Sequence, residues 1–412
     1  MNVLYHHRTQ GRGAEGVHIT SVVRVLEGRG HSVAILSPPG VNPRTEAGSY
    51  LYDKASSKGG GAIGWVWRLL SRHSPQIVFE LAELCYNFWD LPRLVYYART
   101  TPIDLVYERY AFFLWAGAFF SRWKRLPLVL EINEVCGIQR ARKQILVGVM
   151  RWVESYLFRS ADTIVVVSSF LQQVLISRGV DPNKIVVVPN GVDNEKFHPK
   201  AGTDEVRRAW GDQTKVVFGF VGWIDPWDEL PFLLDVFDGV HRLRPEAALV
   251  VVGNVVGEEL RLDDLRRNIQ DRGLEKAVIL TGGVPRDRMP ETIASFDVGV
   301  IPHSNQFGSP VVLFEFMACG KPVIAPDLGP LQDVLRHGEN GFLFPPQDRA
   351  AFQEVFLHLI DNPQVRLEVG AAARKSVLKE HSWEAKVKNI LTFHETRGKT
   401  AMLMEGRTKV SC

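Results

Sequence analysis

The chain has 412 residues, more than one ordinary hydrophobic core accommodates, so we expect two domains. Hydrophobic residues make up 45% and charged residues 23% of the sequence, which excludes a disordered or membrane-embedded chain. The formal net charge is only +3, and Lys and Arg are interspersed with Asp and Glu, so we expect no nucleic-acid partner.

The first half of the chain alternates short strands rich in Val, Ile and Leu with helical segments. This alternation predicts parallel strands joined by crossover helices. The predicted strands are residues 3–5, 33–36, 77–80, 105–108, 128–132, 163–167 and 185–188.

A second series of strands follows a polar stretch at residues 199–213. Two Rossmann-like halves result, and ligands in such sheets lie beyond the carboxyl ends of the strands. We therefore expect an α/β fold with a cleft between two domains. The predicted strands of the second half are residues 216–221, 248–252, 278–281, 298–301 and 322–325. The predicted domains are residues 1–197 and 198–380, with a returning helix at 381–397 and a mobile tail at 398–412.

Cysteine usage and the start of the chain predict the compartment. The four cysteines lie far apart, which fits neither a zinc site nor a disulfide scaffold and indicates a reducing environment. The first eight residues lack the basic-then-apolar order of a signal peptide. We expect a cytoplasmic protein, with association at the inner face of a membrane as an alternative.

The longest apolar run, residues 111–120, is bounded by Arg109 and Arg122. It has about half of the roughly 20 residues that a spanning helix requires. Its aromatic residues and the basic residues that follow suit either a buried core helix or a helix at residues 111–125 touching a membrane surface.

A glycine-rich loop, Gly11 to His18, follows the first strand. Glycines admit a close backbone approach, and a helix start attracts anions. The spacing is not the dinucleotide GxGxxG, so a nicotinamide or flavin enzyme is disfavoured. A tight structural turn remains an alternative to a binding loop.

A Gly-Ser-Pro turn at residues 308–310 opens a short apolar helix that ends near Gly320. This helix carries a single acid, Glu315. Packing explains a carboxylate poorly at that position, so a ligand contact is the better interpretation.

Several motifs in fixed order suggest a family. They include the glycine-rich loop, Tyr107-Glu108-Arg109-Tyr110, Leu130-Glu131-Ile132-Asn133, the Pro-Asn-Gly-Val-Asp turn at 189–193, Gly219 to Gly222 and the Glu315 segment. Over nearly its whole length the chain resembles the retaining GT-B glycosyltransferases of family four.

The resemblance implies transfer of a sugar, with retained configuration, from a nucleotide-diphosphate donor of UDP or GDP type to an unidentified acceptor. It places the donor mostly in the C-terminal domain and the acceptor mostly in the N-terminal domain. It implies no metal and no cofactor beyond the donor itself.

The same resemblance assigns residues by position. Glu315 is implied to accept hydrogen bonds from the donor ribose. Separately, we expect His18, at the start of a helix, to remain neutral and to form hydrogen bonds. The implied catalytic residues are His18, Asp228, Phe307 and Gly308. The implied donor-binding residues are Gly13, Gly16, Gly222, Trp223, Val284, Ser309, Pro310, Val311, Val312, Leu313 and Glu315. The implied acceptor-binding residues are Glu15, Glu108, Arg109, Glu131 and Asn133; a satisfied structural role stays open for each.

The sequence departs from the family where a diphosphate would bind. Asp228 and Glu229 stand at the positions of a basic residue and a glycine, and Val312 stands at the position of a lysine. An anion beside a diphosphate costs about 4 kcal/mol per close pair at an effective dielectric near 20. Either Arg12, Arg286 or another cation compensates, or the donor is unusual, with Asp228 binding a cationic group, or the chemistry is lost or altered.

Two alternatives to an ordinary glycosyltransferase follow from this departure. One is a non-catalytic binding or partner protein that keeps the fold. The other is a natural-product coupling enzyme that uses a nitrogen or sulfur nucleophile.

Overall fold

The chain forms two compact units in a computed structural model. One unit comprises Met1–Val188 with Val387–Cys412, and the other comprises Pro189–Lys386. Within the residues described, no helix is both long and apolar enough to cross a bilayer. The structure describes the whole chain except residues 10, 12, 39–40, 45–75, 139–143, 202–203, 211–215, 223, 225–228, 255–259 and 411–412.

The first unit is built on a six-stranded parallel sheet of order β2-β1-β3-β4-β5-β6. Every residue of β3 and β4 is buried, as expected for strands covered by helices on both faces. Its strands are β1 (Asn2–His6), β2 (Ser32–Leu36), β3 (Leu105–Arg109), β4 (Leu128–Ile132), β5 (Thr163–Val166) and β6 (Ile185–Val187). Its helices are α1 (Gly13–Gly28), α2 (Gln76–Thr100), α3 (Ala116–Lys124), α4 (Val147–Ser160), α5 (Ser169–Ser177) and, returning at the end of the chain, α14 (Trp383–Val410).

The second unit repeats this plan, with the strand order β12-β11-β10-β7-β8-β9. Its strands are β7 (Val216–Val221), β8 (Ala247–Val252), β9 (Val278–Gly282), β10 (Val298–Val300), β11 (Val323–Pro326) and β12 (Phe342–Phe344). Its helices are α6 (Asp204–Ala209), α7 (Leu230–Leu243), α8 (Leu260–Asp271), α9 (Met289–Ala294), α10 (Val311–Ala318), α11 (Gly329–Gln332), α12 (Arg349–Asp361) and α13 (Pro363–Glu380). The prediction of two Rossmann-like halves is confirmed.

Three local predictions differ from the structure. The strand predicted at residues 77–80 is wrong: these residues open α2, and a short apolar run does not by itself distinguish a strand from a helix. The apolar run at 111–120 becomes helical only from Ala116. The returning helix continues to Val410, beyond the predicted end at residue 397.

The junction between the units lies at Val188 and Pro189, whereas the sequence placed it near residues 195–213. The Pro-Asn-Gly-Val-Asp turn is held by hydrogen bonds within the second unit. Asn190 donates from its backbone to Ser309 Oγ at 3.0 Å and from Nδ2 to Ser309 O at 2.7 Å. Val192 N donates to His381 O at 3.0 Å. These contacts group the turn with the second sheet.

Glu229, one of the positions that departs from the family, has an unusual backbone. It precedes α7 with φ 45° and ψ 40°, in the left-handed region where a side chain costs about 1–2 kcal/mol and glycine does not. Its carboxylate accepts a hydrogen bond from Gln347 Nε2. The glycine expected there from the family is therefore explained by backbone conformation.

A buried charged cluster lies against the first sheet. His6, at the end of β1, contacts Asp90 at 2.6 Å through Nε2 and Glu108 at 2.7 Å through Nδ1. Burial alone would lower the pKa of His6, but the two carboxylates, Asp90 foremost, raise it to about 10. Burial raises the pKa of Glu108, and His6 opposes that rise. The ring is therefore an imidazolium that bridges β1, β3 and α2.

We expect replacement of Glu229 by glycine and by alanine to have different effects on stability. Both variants lose the contact with Gln347, but only alanine keeps the strain of the left-handed backbone. Glu229→Gly should therefore be about 1 kcal/mol more stable than Glu229→Ala. Thermal unfolding of the two variants measures the difference, and an alanine variant of equal or greater stability would contradict it.

The His6 cluster predicts a loss of stability at alkaline pH. Because the folded-state pKa of His6 lies above its ordinary value of 6.5, its contribution is complete below about pH 6.5. It is lost as the pH rises toward about 10, at up to about 1.4 kcal/mol per pH unit. Urea unfolding at intervals from pH 6.5 to 10 measures this slope.

The matched control for that slope is the variant His6→Gln/Asp90→Asn/Glu108→Gln, in which all three groups are neutral. Its free energy of unfolding should depend less steeply on pH across the same window. Parallel pH profiles for wild type and this variant would show that His6 is not the titrating group.

Candidate functional site

The carboxyl ends of β7, β8 and β9 meet in a tight glycine-rich edge of the second sheet. Gly222 N donates to Val252 O at 3.1 Å, and Gly253 N donates to Gly282 O at 3.0 Å. A Cβ atom on Gly253 would lie 1.8 Å from Gly222 O, so only glycine lets these two backbones approach so closely.

The segment before α10 is organised by two asparagines. Ser309 is tied to Asn190, as described above. Asn305 Oδ1 accepts hydrogen bonds from the backbone N–H groups of Phe307, at 3.1 Å, and Gly308. The predicted roles of Phe307 and Gly308 therefore concern N–H groups that already have an acceptor in this structure.

Helix α10 begins at Val311, after an extended Pro310 that caps it without a side-chain bond. The first N–H groups of a helix have no intrahelical acceptor and carry positive dipole character. Leu313 is fully buried, and Val312 packs partly buried against the core of the unit. Of these residues, only the backbone at the helix start is suited to an anionic ligand.

Glu315 lies on the second turn of α10 and is almost completely buried, with its side chain 3% exposed. Its Oε1 atom accepts a hydrogen bond from Arg286 Nη2. Arg286 follows β9, is 26% exposed, and its guanidinium lies 4.9 Å from the centroid of the Phe197 ring. A buried carboxylate and a partly exposed cation thus meet at the carboxyl edge of the sheet.

Of the cations named from the sequence, Arg286 is described by the structure and contacts Glu315. Val312, in helix α10, cannot supply positive charge. Arg286 places its guanidinium against Glu315 of that helix. Val284 lies two residues before Arg286, partly buried against the core. Arg12, Trp223 and Asp228 lie outside the described residues, as does Asp225.

In the first unit a buried network joins α1 to β4. His18 Nε2 lies 2.9 Å from both carboxylate oxygens of Glu131. Tyr107 donates from its hydroxyl to Glu131 Oε2 at 2.8 Å. His18 and Glu131 are 2% and 0% exposed, so each has a structural partner in addition to its predicted role.

The other predicted acceptor residues divide into two groups. Glu108 is fully buried and paired with His6, which supports a structural role. Arg109 and Asn133, at the carboxyl ends of β3 and β4, differ from it. Among the described residues, Arg109 Nη1 and Asn133 Nδ2 are buried donors that make no hydrogen bond of ordinary geometry, although the Arg109 guanidinium lies beside the Tyr5 hydroxyl and opposes the rise of the Tyr5 pKa.

His7 is a third buried hydrogen-bond donor, and no role was predicted for it from the sequence. It follows β1, the strand paired with β3. Burial, reinforced by the charges of His6 and Arg109, lowers its pKa to about 3, so the ring is neutral. Its Nδ1 atom accepts from Thr9 N at 3.2 Å, which places the proton on Nε2. This buried nitrogen makes no hydrogen bond of ordinary geometry among the described residues, although the backbone of Val41 interacts with the ring and opposes the lowering of its pKa.

The glycine-rich loop has a structural explanation in part. A Cβ atom on Gly16 would lie 2.1 Å from Gly11 O, whereas one on Gly13 would meet nothing within 4 Å. Gly16 is thus required by packing of the loop on the first turn of α1. Glu15 is exposed on that turn.

The sequence did not predict a role for His7, and it did not distinguish Arg286 from the other candidate cations. His7 reads as an ordinary strand-end residue, and Arg286 was only one of several nearby cations. Their placement depends on strand pairing and on the loop after β9. A polar residue directly after a buried strand was the only available signal.

Comparison with known proteins identifies both units. Residues 15–196 match Glycosyltransferase Family 4, and residues 203–376 match Glycosyl transferases group 1. A D-inositol 3-phosphate glycosyltransferase from Thermomonospora curvata is 30% identical over 235 residues, which are 54% of this chain and 54% of the relative. An alpha-maltose-1-phosphate synthase from Mycolicibacterium smegmatis is 25% identical over 65% of this chain and 72% of its own. The chain therefore spans about half the length of the first of these relatives.

Solved structures share the fold across the whole chain. HepE from Anabaena in complex with UDP has a TM-score of 0.70 at 19% identity, covering 98% of this chain and 100% of its own. Sucrose-phosphate synthase from Thermosynechococcus elongatus has a TM-score of 0.70 at 16% identity, covering 97% and 100%. With both units matched in sequence and the fold matched throughout, the chain belongs to the GT-B glycosyltransferases of family four.

Proposed function

We propose that the protein transfers a sugar from a nucleotide-diphosphate donor to an acceptor, with retention of configuration and without a metal or further cofactor. The observation that carries this proposal is the Glu315–Arg286 pair at the carboxyl edge of the second sheet. UDP is the favoured nucleotide over GDP, because the HepE structures of the same fold are complexes with UDP and UDP-glucose.

Glu315 and Arg286 bind different parts of the donor, the ribose and the diphosphate. A carboxylate has about four lone-pair sites, so Glu315 can hold Arg286 and still accept a ribose hydroxyl. Arg286 then supplies the cation that Val312 cannot. Together with the start of α10, it offsets charge that develops on the leaving diphosphate.

The acceptor is proposed to bind the first unit. Three buried donors at the ends of neighbouring strands, His7 Nε2, Arg109 Nη1 and Asn133 Nδ2, suit the oxygen atoms of a hydroxylated acceptor, because buried polar groups are normally hydrogen-bonded. The direct roles predicted for His18, Glu15, Glu131, Phe307, Gly308 and Asp228 stay predictions.

An altered chemistry is the second candidate, and Val312 favours it. The apolar residue at this position packs on the core and leaves the start of α10 without a lysine. A non-catalytic homologue would bind the nucleotide sugar without turnover, and a coupling enzyme would form a nitrogen or sulfur linkage.

The reaction itself is tested by incubation of nucleotide sugars with acceptor panels. The proposal expects turnover that persists in EDTA and a product whose anomeric proton signal shows retained configuration. Donor binding without turnover, or a product with a nitrogen or sulfur linkage by mass spectrometry, would favour the second candidate.

We also propose that the protein is located in the cytoplasm, with residues 111–125 in contact with a membrane surface.

Substitution of the Glu315–Arg286 pair should separate ribose from diphosphate recognition. Glu315→Gln is expected to weaken binding of uridine and of UDP-glucose roughly 10- to 100-fold, because it removes charge-assisted hydrogen bonds to the ribose. Arg286→Gln should weaken UDP-glucose binding roughly 10-fold but leave uridine binding unchanged. Titration calorimetry with both ligands measures these effects.

The matched control is Arg288→Gln, which removes an exposed guanidinium two residues away that pairs with Glu291 at 2.5 Å. It should bind both ligands as wild type does. Equal losses of uridine and UDP-glucose binding in Arg286→Gln would show that this residue only positions Glu315.

A further inference from the structure

The polar and apolar faces of helix α2 are reversed relative to an ordinary surface helix. Its polar side chains Glu80, Glu83, Asn87 and Asp90 are buried, whereas large apolar side chains face solvent. The exposed residues follow one helical stripe. They are Ile77, Val78, Leu81, Phe88, Trp89 and Tyr96, with Phe88 and Tyr96 68% and 69% exposed.

The buried polar face has a complete structural explanation. Glu80 accepts from the backbone of Leu146 at 2.7 Å, at the start of α4. Asn87 Oδ1 accepts from the backbone of Ala116 at 2.8 Å, at the start of α3. Asp90 binds His6, and Glu83 pairs with Arg8 at 2.9 Å. The polar face of α2 therefore holds the unit together, and no residue in the described part of the chain covers the exposed apolar side chains.

The neighbouring helices extend the apolar face. Phe88 contacts Trp115 edge-on, with ring centroids 5.7 Å apart, and Trp115 contacts Phe119 of α3 at 6.0 Å. We use "aromatic surface" for the exposed large side chains of the three helices. These are Ile77, Val78, Leu81, Phe88, Trp89, Tyr96, Phe119, Trp123, Val149 and Trp152.

The charges on these helices are of one sign wherever they are exposed. Each carboxylate that α2, α3 and α4 carry is buried: Glu80, Glu83, Asp90 and Glu154. The exposed charged residues are cations: Arg99, Arg122, Lys124, Arg151 and Arg159. Lys124 lies 4.6 Å above the ring of Trp123, so cation and aromatic residue occur together.

We propose that the aromatic surface docks the protein on the face of an anionic lipid bilayer. Trp and Tyr partition to the boundary between headgroups and acyl chains, and flanking Lys and Arg bind anionic headgroups. A second copy of the chain is a poorer occupant, because a two-fold interface would oppose two cationic surfaces. The predicted contact at residues 111–125 forms part of this surface, which is centred on α2.

Sedimentation of the full-length protein with lipid vesicles tests the proposal without any substrate. Wild type should bind vesicles with about one third phosphatidylglycerol at least tenfold more tightly than phosphatidylcholine vesicles, and less tightly at high salt. Phe88→Ser/Trp89→Ser should lower binding at least tenfold, because the two rings supply buried apolar area. Arg122→Gln/Lys124→Gln should lower it roughly 25-fold, at about fivefold for each cation.

The matched control is Leu243→Ser/Leu367→Ser, which removes two exposed leucines of the second unit and should bind as wild type. Unchanged thermal unfolding shows that each variant is folded, and quenching of tryptophan fluorescence by brominated lipid should be weaker in Phe88→Ser/Trp89→Ser. No binding by wild type, or equal losses in the control, overturns the proposal. A wild-type dimer that Phe88→Ser/Trp89→Ser dissociates would show instead that a second copy covers the surface.

Discussion

The buried imidazolium of His6 is the interaction on which much of the first unit depends. It is held between Asp90 of α2 and Glu108 of β3, so the helix must turn its polar face toward the sheet. A buried charge without a partner would cost several kcal/mol, and this makes the orientation of α2 mandatory. Gly117 is required nearby, because a Cβ atom there would lie 1.7 Å from Glu108 Oε2.

The orientation of α2 has two consequences for its neighbours. Its inward polar groups cap the starts of α3 and α4, which satisfies N–H groups that a helix start leaves without acceptors. Its outward side carries the exposed apolar side chains, which the buried polar contacts do not require. His6 fixes which face of α2 points toward the sheet, and the aromatic surface proposed to dock on lipid includes the opposite face of this helix.

In the second unit the main electrostatic interaction is the pairing of buried Glu315 with Arg286. A buried acid at position 315 needs a partner, and a nucleotide diphosphate needs a cation. Arg286 pairs with Glu315, and its guanidinium lies against the Phe197 ring; under the proposed function the same guanidinium meets the diphosphate. Val312 packs against the core, so the charge proposed for this role comes from the loop after β9 instead of from the helix.

Hydrophobic periodicity and motif order predicted the fold class and most strands, and they singled out Glu315 as a candidate ligand contact, because both are local properties of the chain. Tertiary structure alone decided that residues 77–80 are helical, that Glu108 is sealed against His6 and that Arg286 meets Glu315. It also decided that His7, Arg109 and Asn133 end at one edge. Each of these depends on which distant groups share a buried space, since the free energy of a charge or an unpaired donor is set by neighbours that lie far away along the chain.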